Sequence, residues 1–280
     1  MVIPIHDDNP VRRTPVVTYA LIIVNVVVFV LLEPINHVPS AGGSQQTTLR
    51  AYCQQVAFFD EYAAIPKELL TNEAVRHHEV VQTSTGQQVS CSQVTQDYFP
   101  HKQPALSALY SMFLHGGWLH LLGNMLFLYI FGNNIEDRLG RVRYLLFYLA
   151  AGYAAAYGFA LANADSTTTL VGASGAIAGV LGAYLVLYPR ARVRTLIPIG
   201  FIFIWPRLPA WVVLGFWFLL QYWYSVGGGV TSGAGVAYLA HVVGFLFGAL
   251  LALPLRAGTR PPGYGPPGHG YGPRRTYAGR

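Results

Sequence analysis

The run Gly172-Ala-Ser-Gly-Ala-Ile-Ala-Gly-Val-Leu-Gly-Ala-Tyr-Leu-Val-Leu-Tyr188 is apolar, rich in small residues, and has a serine, Ser174, at its head. A second apolar run, 236–255, carries His241. Both read as membrane-spanning helices. Gly175 and Gly179 are four apart, and Ala240, Gly244 and Gly248 repeat at the same interval. Small residues at that spacing let helix backbones approach closely in a membrane. Packing alone explains the pattern, but the same packing would bring His241 within hydrogen-bond reach of Ser174. A polar group inside a span is costly and marks a candidate site. A serine and a histidine are the minimum set for acyl transfer, one attacking and the other taking its proton.

Composition supports the membrane reading. The chain has 280 residues, of which 53% are hydrophobic and 11% charged, and its mean hydropathy is +0.38. Soluble domains carry about 25% charged residues. The net charge is +6, yet no nucleic-acid face is expected. The arginines stand in short clusters beside apolar runs: Arg12-Arg13, Arg138/Arg141/Arg143, Arg190/Arg192/Arg194 and Arg256/Arg260. That is an orientation signal. The first apolar run is too long for a secretory h-region and reads as a retained span.

Six spans are expected, at about 17–32, 119–135, 144–162, 174–188, 208–226 and 236–255, giving an all-α polytopic membrane protein. Residues 1–14 read as a polar inner tail, 15–256 as the membrane core, 33–104 as a long extracytoplasmic loop, and 257–280 as a disordered Gly-, Pro- and Tyr-rich cytoplasmic tail. Residues 196–206 are apolar but too short to span, with Pro198 and Pro206, and read as an interfacial segment. With six spans and both termini inside, fourteen of the 18 Lys and Arg residues fall in cytoplasmic segments. A seventh span at 196–206 would put the C-terminal arginines outside. The fourth span is short, as a helix starting beneath a water-filled depression would be. Cys53 and Cys91 both fall in the long loop; a disulfide and two free thiols are both open.

Four polar residues share one depth near the outer end. Ser174 opens the fourth span, and His241 lies about five residues into the sixth, or roughly 7–8 Å. His120 and Asn124, four apart, stack on one face of the second. Backbone N–H groups at the start of the Ser174 helix suit a developing oxyanion. Taken singly, His241 could be a packing histidine, and Asn124 interhelical glue. No acidic residue stands at that depth, and Asp165 reads as a loop charge, so a Ser–His dyad is the economical arrangement. His77-His78-Glu79 and the His115/His120 pair lack zinc spacing. No metal and no cofactor is expected.

These residues resemble the rhomboid family of intramembrane serine proteases. The resemblance runs over about 4–256 and rests on His115-Gly-Gly-Trp-Leu-His120-Leu-Leu-Gly-Asn124, Glu136-Asp-Arg138-Leu-Gly140, Gly172-Ala-Ser174-Gly175 and Ala240-His241-Val-Val-Gly244-Phe245. Asp7-Asp8-Asn9-Pro10 and Ile65-Pro66 with Leu69 are similar to bacterial six-span members. The resemblance implies a six-transmembrane-helix rhomboid-like bundle. It makes Ser174 the nucleophile and His241 the base, with His120 and Asn124 joining the Ser174 amide in an oxyanion hole. It implies a loop between spans one and two lying in the outer leaflet, substrate entry gated by span five and the loop before span six, and transmembrane proteins as substrates. One position departs: where some members carry an aromatic residue one turn after the serine, packed on the histidine, this chain has Ala178. Two other classes compete. A non-catalytic rhomboid-like binder of client helices would show a substitution at one of the four positions. A transporter would want paired charges or broken helices at the midplane.

Overall fold

The computed structural model describes residues 3–34, 45–76, 80–82, 88–93, 95–96, 98–199, 202–227 and 237–256. His77-His78-Glu79, most of the loop before the sixth apolar run and the 257–280 tail lie outside the described residues.

At the centre stands α8 (Ser174–Leu187), whose residues Ala176 to Tyr184 are all buried. It is wrapped by α7 (Arg141–Ala162) and α10 (Tyr238–Arg256), and α9 (Ala210–Ser225) leans on both α8 and α10. The small-residue spacing explains the tightness. A Cβ built on Gly244 or Gly248 would overlap the carbonyl oxygens of Gly175 and Gly179, and one on Gly182 would overlap that of Phe245. Backbone therefore rests on backbone along the whole α8–α10 seam. Gly175 and Gly179 also seat against the methyls of Ala155 and Ala151 of α7.

The second expected span is one continuous helical rod, α5 (Trp118–Phe127), a π-helical turn (Leu128–Gly132) and α6 (Asn133–Leu139). α1 (Val16–Leu31) packs against this rod. Two helices, Arg141–Ala162 and Tyr238–Arg256, are long and apolar enough to cross a membrane by themselves, and Val16–Leu31 and Ser174–Leu187 are shorter apolar helices. α1 and α9 turn large apolar side chains outward, among them Ile23, Leu31, Trp211, Leu219 and Trp223. Such faces need hydrocarbon, not water, to cover them.

The expectation of an all-α chain needs correcting, because the protein is mostly helical with two small sheets. β1 (Ile3–Asp7), β4 (Arg192–Ile199), β5 (Ile202–Ile204) and β6 (Arg207–Pro209) form an antiparallel sheet. β1 pairs along one edge of β4, while β6 and β5 share the other, at Arg192–Arg194 and Ile197–Ile199 respectively. The 1–14 tail is thus in part a strand, and the described residues of 196–206 lie mostly in the paired strands β4 and β5, with Ile202, Phe203, Ile204 and Trp205 exposed. Their backbone groups find partners by pairing, which a lone interfacial stretch could not offer. The described part of 33–104 is also structured. It holds α2 (Gln45–Tyr62), α3 (Pro66–Thr71) and a short antiparallel pair, β2 (Val80–Gln82) with β3 (Gln88–Ser90), ahead of α4 (Pro104–Ser111). A Cys53–Cys91 disulfide closes it. Lys102 Nζ meets Glu68 Oε2 at 2.6 Å, both side chains almost fully buried.

The Glu136-Asp-Arg138 motif binds helix ends. Glu136, buried on α6, accepts from the backbone N–H of Val17 and Thr18 and from the Thr18 hydroxyl at 2.7–2.9 Å. Those amides belong to the first turn of α1, where no intrahelical acceptor exists. Asp137 accepts from the Arg13 N–H, and Arg138 donates to the Leu255 carbonyl at the end of α10. Asn134 donates to Asp7 of β1 at 2.6 Å. Glu136→Ala leaves buried donors unmatched and is expected to cost about 2 kcal/mol. That is a fall of about 4–8 °C in Tm for a chain of this size, read by thermal unfolding in detergent. An unchanged Tm would show that water serves these amides equally well.

Candidate active site

The end of the bundle opposite the Glu136 cluster gathers the polar residues of the apolar runs. Ser174 is the first residue of α8, and His241 sits in the first turn of α10. The backbone seam fixes their separation: Ser174 Oγ and His241 Nε2 are 2.7 Å apart. The other ring nitrogen, Nδ1, lies 2.8 Å from Oε1 of Gln221 on α9. Trp217, one turn earlier on α9, packs on the imidazole at 6.0 Å between centroids, and Tyr238 meets it edge-on at 6.3 Å. The aromatic support that Ala178 cannot give comes from these two residues.

Just before Ser174, Gly172 has φ +121°, in the region that only glycine enters freely. A Cβ there would lie 2.7 Å from His120 Nε2 and 3.4 Å from Ser174 Oγ. The missing side chain thus makes room for His120 beside the serine. His120 Nδ1 accepts from the Gly116 N–H at 3.3 Å, which assigns the ring proton to Nε2 and turns a donor toward Ser174. Asn124, one turn further along α5, is buried, and its Nδ2 has no acceptor among the described residues. A buried amide donor without a partner is costly, and a site that presents anionic oxygen would use it. Asp165 is exposed in the loop before α8. Among the described residues no three His, Cys, Asp or Glu side chains cluster as a metal site would require.

Two residues of this region escaped the sequence reading. Gln221 carries no signal beyond one amide in an aromatic helix. Glu33, just past α1, is fully buried and accepts from the backbone N–H of His115 at 2.9 Å. It ties the end of α1 to the turn that leads into α5. Burial pushes its carboxyl up to about 7. His115 stacks edge-on with His120 at 5.1 Å. Burial first, and His120 second, push the His115 imidazole down to about 3, so it is neutral.

A family profile described as Rhomboid domain matches residues 103–258, which contain Ser174, His241, His120, Asn124 and Gln221. The chain belongs to the rhomboid family. That family is one of intramembrane serine proteases, and the apolar outward faces agree with a membrane protein. Similar proteins include RHOMBOID-like protein 5 of Arabidopsis thaliana, 38% identical over 74 residues. RHOMBOID-like protein 6, mitochondrial, of the same plant is 41% identical over 75 residues. YdcA of Bacillus subtilis (strain 168), a candidate rhomboid protease by its name, is 39% identical over 72 residues. These stretches cover 26%, 27% and 26% of this chain and 24%, 24% and 36% of the relatives. The chain therefore matches well under two thirds of each relative's length. Plant and bacterial rhomboids both match, so the likeness does not single out the bacterial members.

Proposed function

We propose that this rhomboid is an active intramembrane serine endopeptidase that cuts other membrane proteins in or near their transmembrane segments. The observation that carries the proposal is the 2.7 Å contact between Ser174 Oγ and His241 Nε2. Nε2 takes the hydroxyl proton as Oγ attacks the scissile carbonyl. The carbonyl oxygen becomes an oxyanion, met by the Ser174 backbone N–H, the Nε2–H of His120 and the free Nδ2–H of Asn124. Collapse breaks the C–N bond, and the imidazolium returns its proton to the leaving amine. A water molecule, deprotonated by the same histidine, then frees the acyl serine. Neither metal nor cofactor enters the sequence of steps.

The arginine distribution supports both termini in the cytoplasm, the 33–104 region outside and six crossings. A disulfide in the 33–104 region agrees with an oxidising compartment. A client helix hides its carbonyls in its own hydrogen bonds, so clients with helix-weakening Gly or Pro near their outer end suit the site. A fluorophosphonate probe on the purified protein tests the nucleophile, with labelling expected and lost in Ser174→Ala. Labelling that survives in Ser174→Ala would refute the assignment.

His120→Ala and Asn124→Ala are each expected to lower kcat by about 10²–10³ with little change in KM, because their donors act on charge present only in the transition state. Initial rates on a fluorogenic transmembrane substrate check this. Full turnover in both variants would reduce the pair to packing residues.

A further inference from the structure

The proposed dyad has a third partner that no carboxylate search would find. Resting on the protease reading above, we propose that Gln221 is a positioning residue. It holds His241 in the tautomer that carries its proton on Nδ1, leaving the Nε2 lone pair free for Ser174.

The geometry makes the argument. A neutral imidazole has one donor and one acceptor nitrogen. To act as base toward Ser174 Oγ, Nε2 must be the acceptor, so Nδ1 must carry the proton and needs an acceptor of its own. Gln221 Oε1 stands 2.8 Å from Nδ1. An amide turned the other way would donate to Nδ1, drive the proton to Nε2 and leave no base. Trp217 fixes the plane of the ring from the same face of α9, one turn away. α9 therefore holds both the edge and the face of the imidazole, while the serine comes from α8.

The choice of a neutral amide has a physical reason. Among the described residues, the helices packed around His241 carry no negative charge. α7, α8, α9 and α10 contain no acidic residue, and their basic residues, Arg141, Arg143 and Arg256, lie at the far ends of α7 and α10. The titratable groups beside the ring are His120 from α5 and Tyr238 from its own helix. A carboxylate at this depth would be expensive to desolvate. An amide oxygen sets the tautomer without that cost, and without the extra stabilisation that a carboxylate gives the imidazolium.

Two substitutions separate orientation from packing. Gln221→Leu keeps the bulk and removes the acceptor. It is expected to lower kcat by about 10-fold, short of the ~10²–10⁴-fold supplied by a general base itself, with KM and Tm little changed. Gln221→Glu keeps an acceptor and adds charge. It is expected to restore most of kcat. Its negative charge favours the imidazolium, so the acid limb of kcat/KM moves to higher pH, by about 1 unit or more for an opposite charge this close. A Leu variant with full kcat, or a Glu variant no more active than the Leu variant, overturns the proposal.

A readout independent of turnover distinguishes its failure from failure of the protease reading. Imidazole ¹⁵N spectra of histidine-labelled protein, with His241→Ala to assign the signal, are expected to show an Nδ1-protonated ring in the native protein and a tautomer mixture in Gln221→Leu. An unchanged ring in Gln221→Leu sinks the positioning role even where cleavage is intact. A native protein that cleaves nothing yet shows this tautomer change sinks the protease reading and leaves Gln221 in place.

Discussion

Ser174→Ala and His241→Ala are each expected to abolish peptide cleavage while the folded protein stays in the membrane. In the proposed mechanism the two atoms, 2.7 Å apart, act as a unit, so removing either removes nearly all the covalent route. In a soluble serine protease the loss of one such member costs about 10⁶ in kcat. Here the residual rate should fall to the background of the assay, because the oxyanion donors alone cannot supply the missing half of the pair. Neither change should unfold the chain. Ser174 begins α8 without capping it through its side chain, and His241 is held on three sides by rings and an amide. The check is cleavage of a transmembrane substrate in proteoliposomes beside a thermal melt of the same preparation. Cleavage by Ser174→Ala at more than a per cent of the native rate would remove the serine from the chemistry.

Gly248→Val is expected to have the largest effect on stability. A Cβ at Gly248 would overlap the carbonyl oxygen, carbon and Cα of Gly179. No rotamer relieves a clash with backbone, so α10 must lift away from α8 or the helices must bend. Overpacking in a dense core costs about 1–3 kcal/mol and occasionally more, and this contact belongs at or beyond the upper end. It also predicts lost activity, because the same seam sets the Ser174–His241 distance. Leu250→Val on the outward face of the same helix, where Leu250 is 64% exposed, should leave both properties unchanged. Equal melting temperatures for Gly248→Val and Leu250→Val would show that the seam is looser than its backbone contacts state.

The candidate site's juxtaposition of Ser174 and His241 was readable in the sequence where chemistry and periodicity coincide. Ser174 and His241 stand out because polar groups are rare in apolar runs, and the four-residue spacing of small residues brings their helices together. The close approach through Gly244 and Gly248 follows directly from that spacing. The sheet was not readable in the same way. β1 pairs with residues nearly two hundred positions away, and nothing local in Ile3-Pro-Ile-His-Asp7 specifies that partner. The prolines at 198 and 206 suggest breaks, yet β4 runs through Pro198, which pairs with Phe203. Gln221 and Glu33 were invisible for a further reason. Each is one polar residue in or beside an apolar helix, and its meaning lies in a distance to an atom from another helix. The Cys53–Cys91 pairing needed the fold of the whole 33–104 region to bring two residues 38 apart into contact.

The hydrogen bonds of Asn134, Glu136, Asp137 and Arg138 gather at one end of the bundle, joining β1, the start of α1 and the end of α10. The candidate pair stands at the other end, on α8 and α10, whose backbones touch at Gly175–Gly244 and Gly179–Gly248. α9, which carries Gln221 and Trp217, meets that seam through side chains alone. Its 16 residues make a rod ~24 Å long, so a tilt of ~7° moves one end by ~3 Å. That is as wide as a hydrogen bond is long. Such a tilt would part the imidazole from its amide while the serine and the histidine kept their spacing.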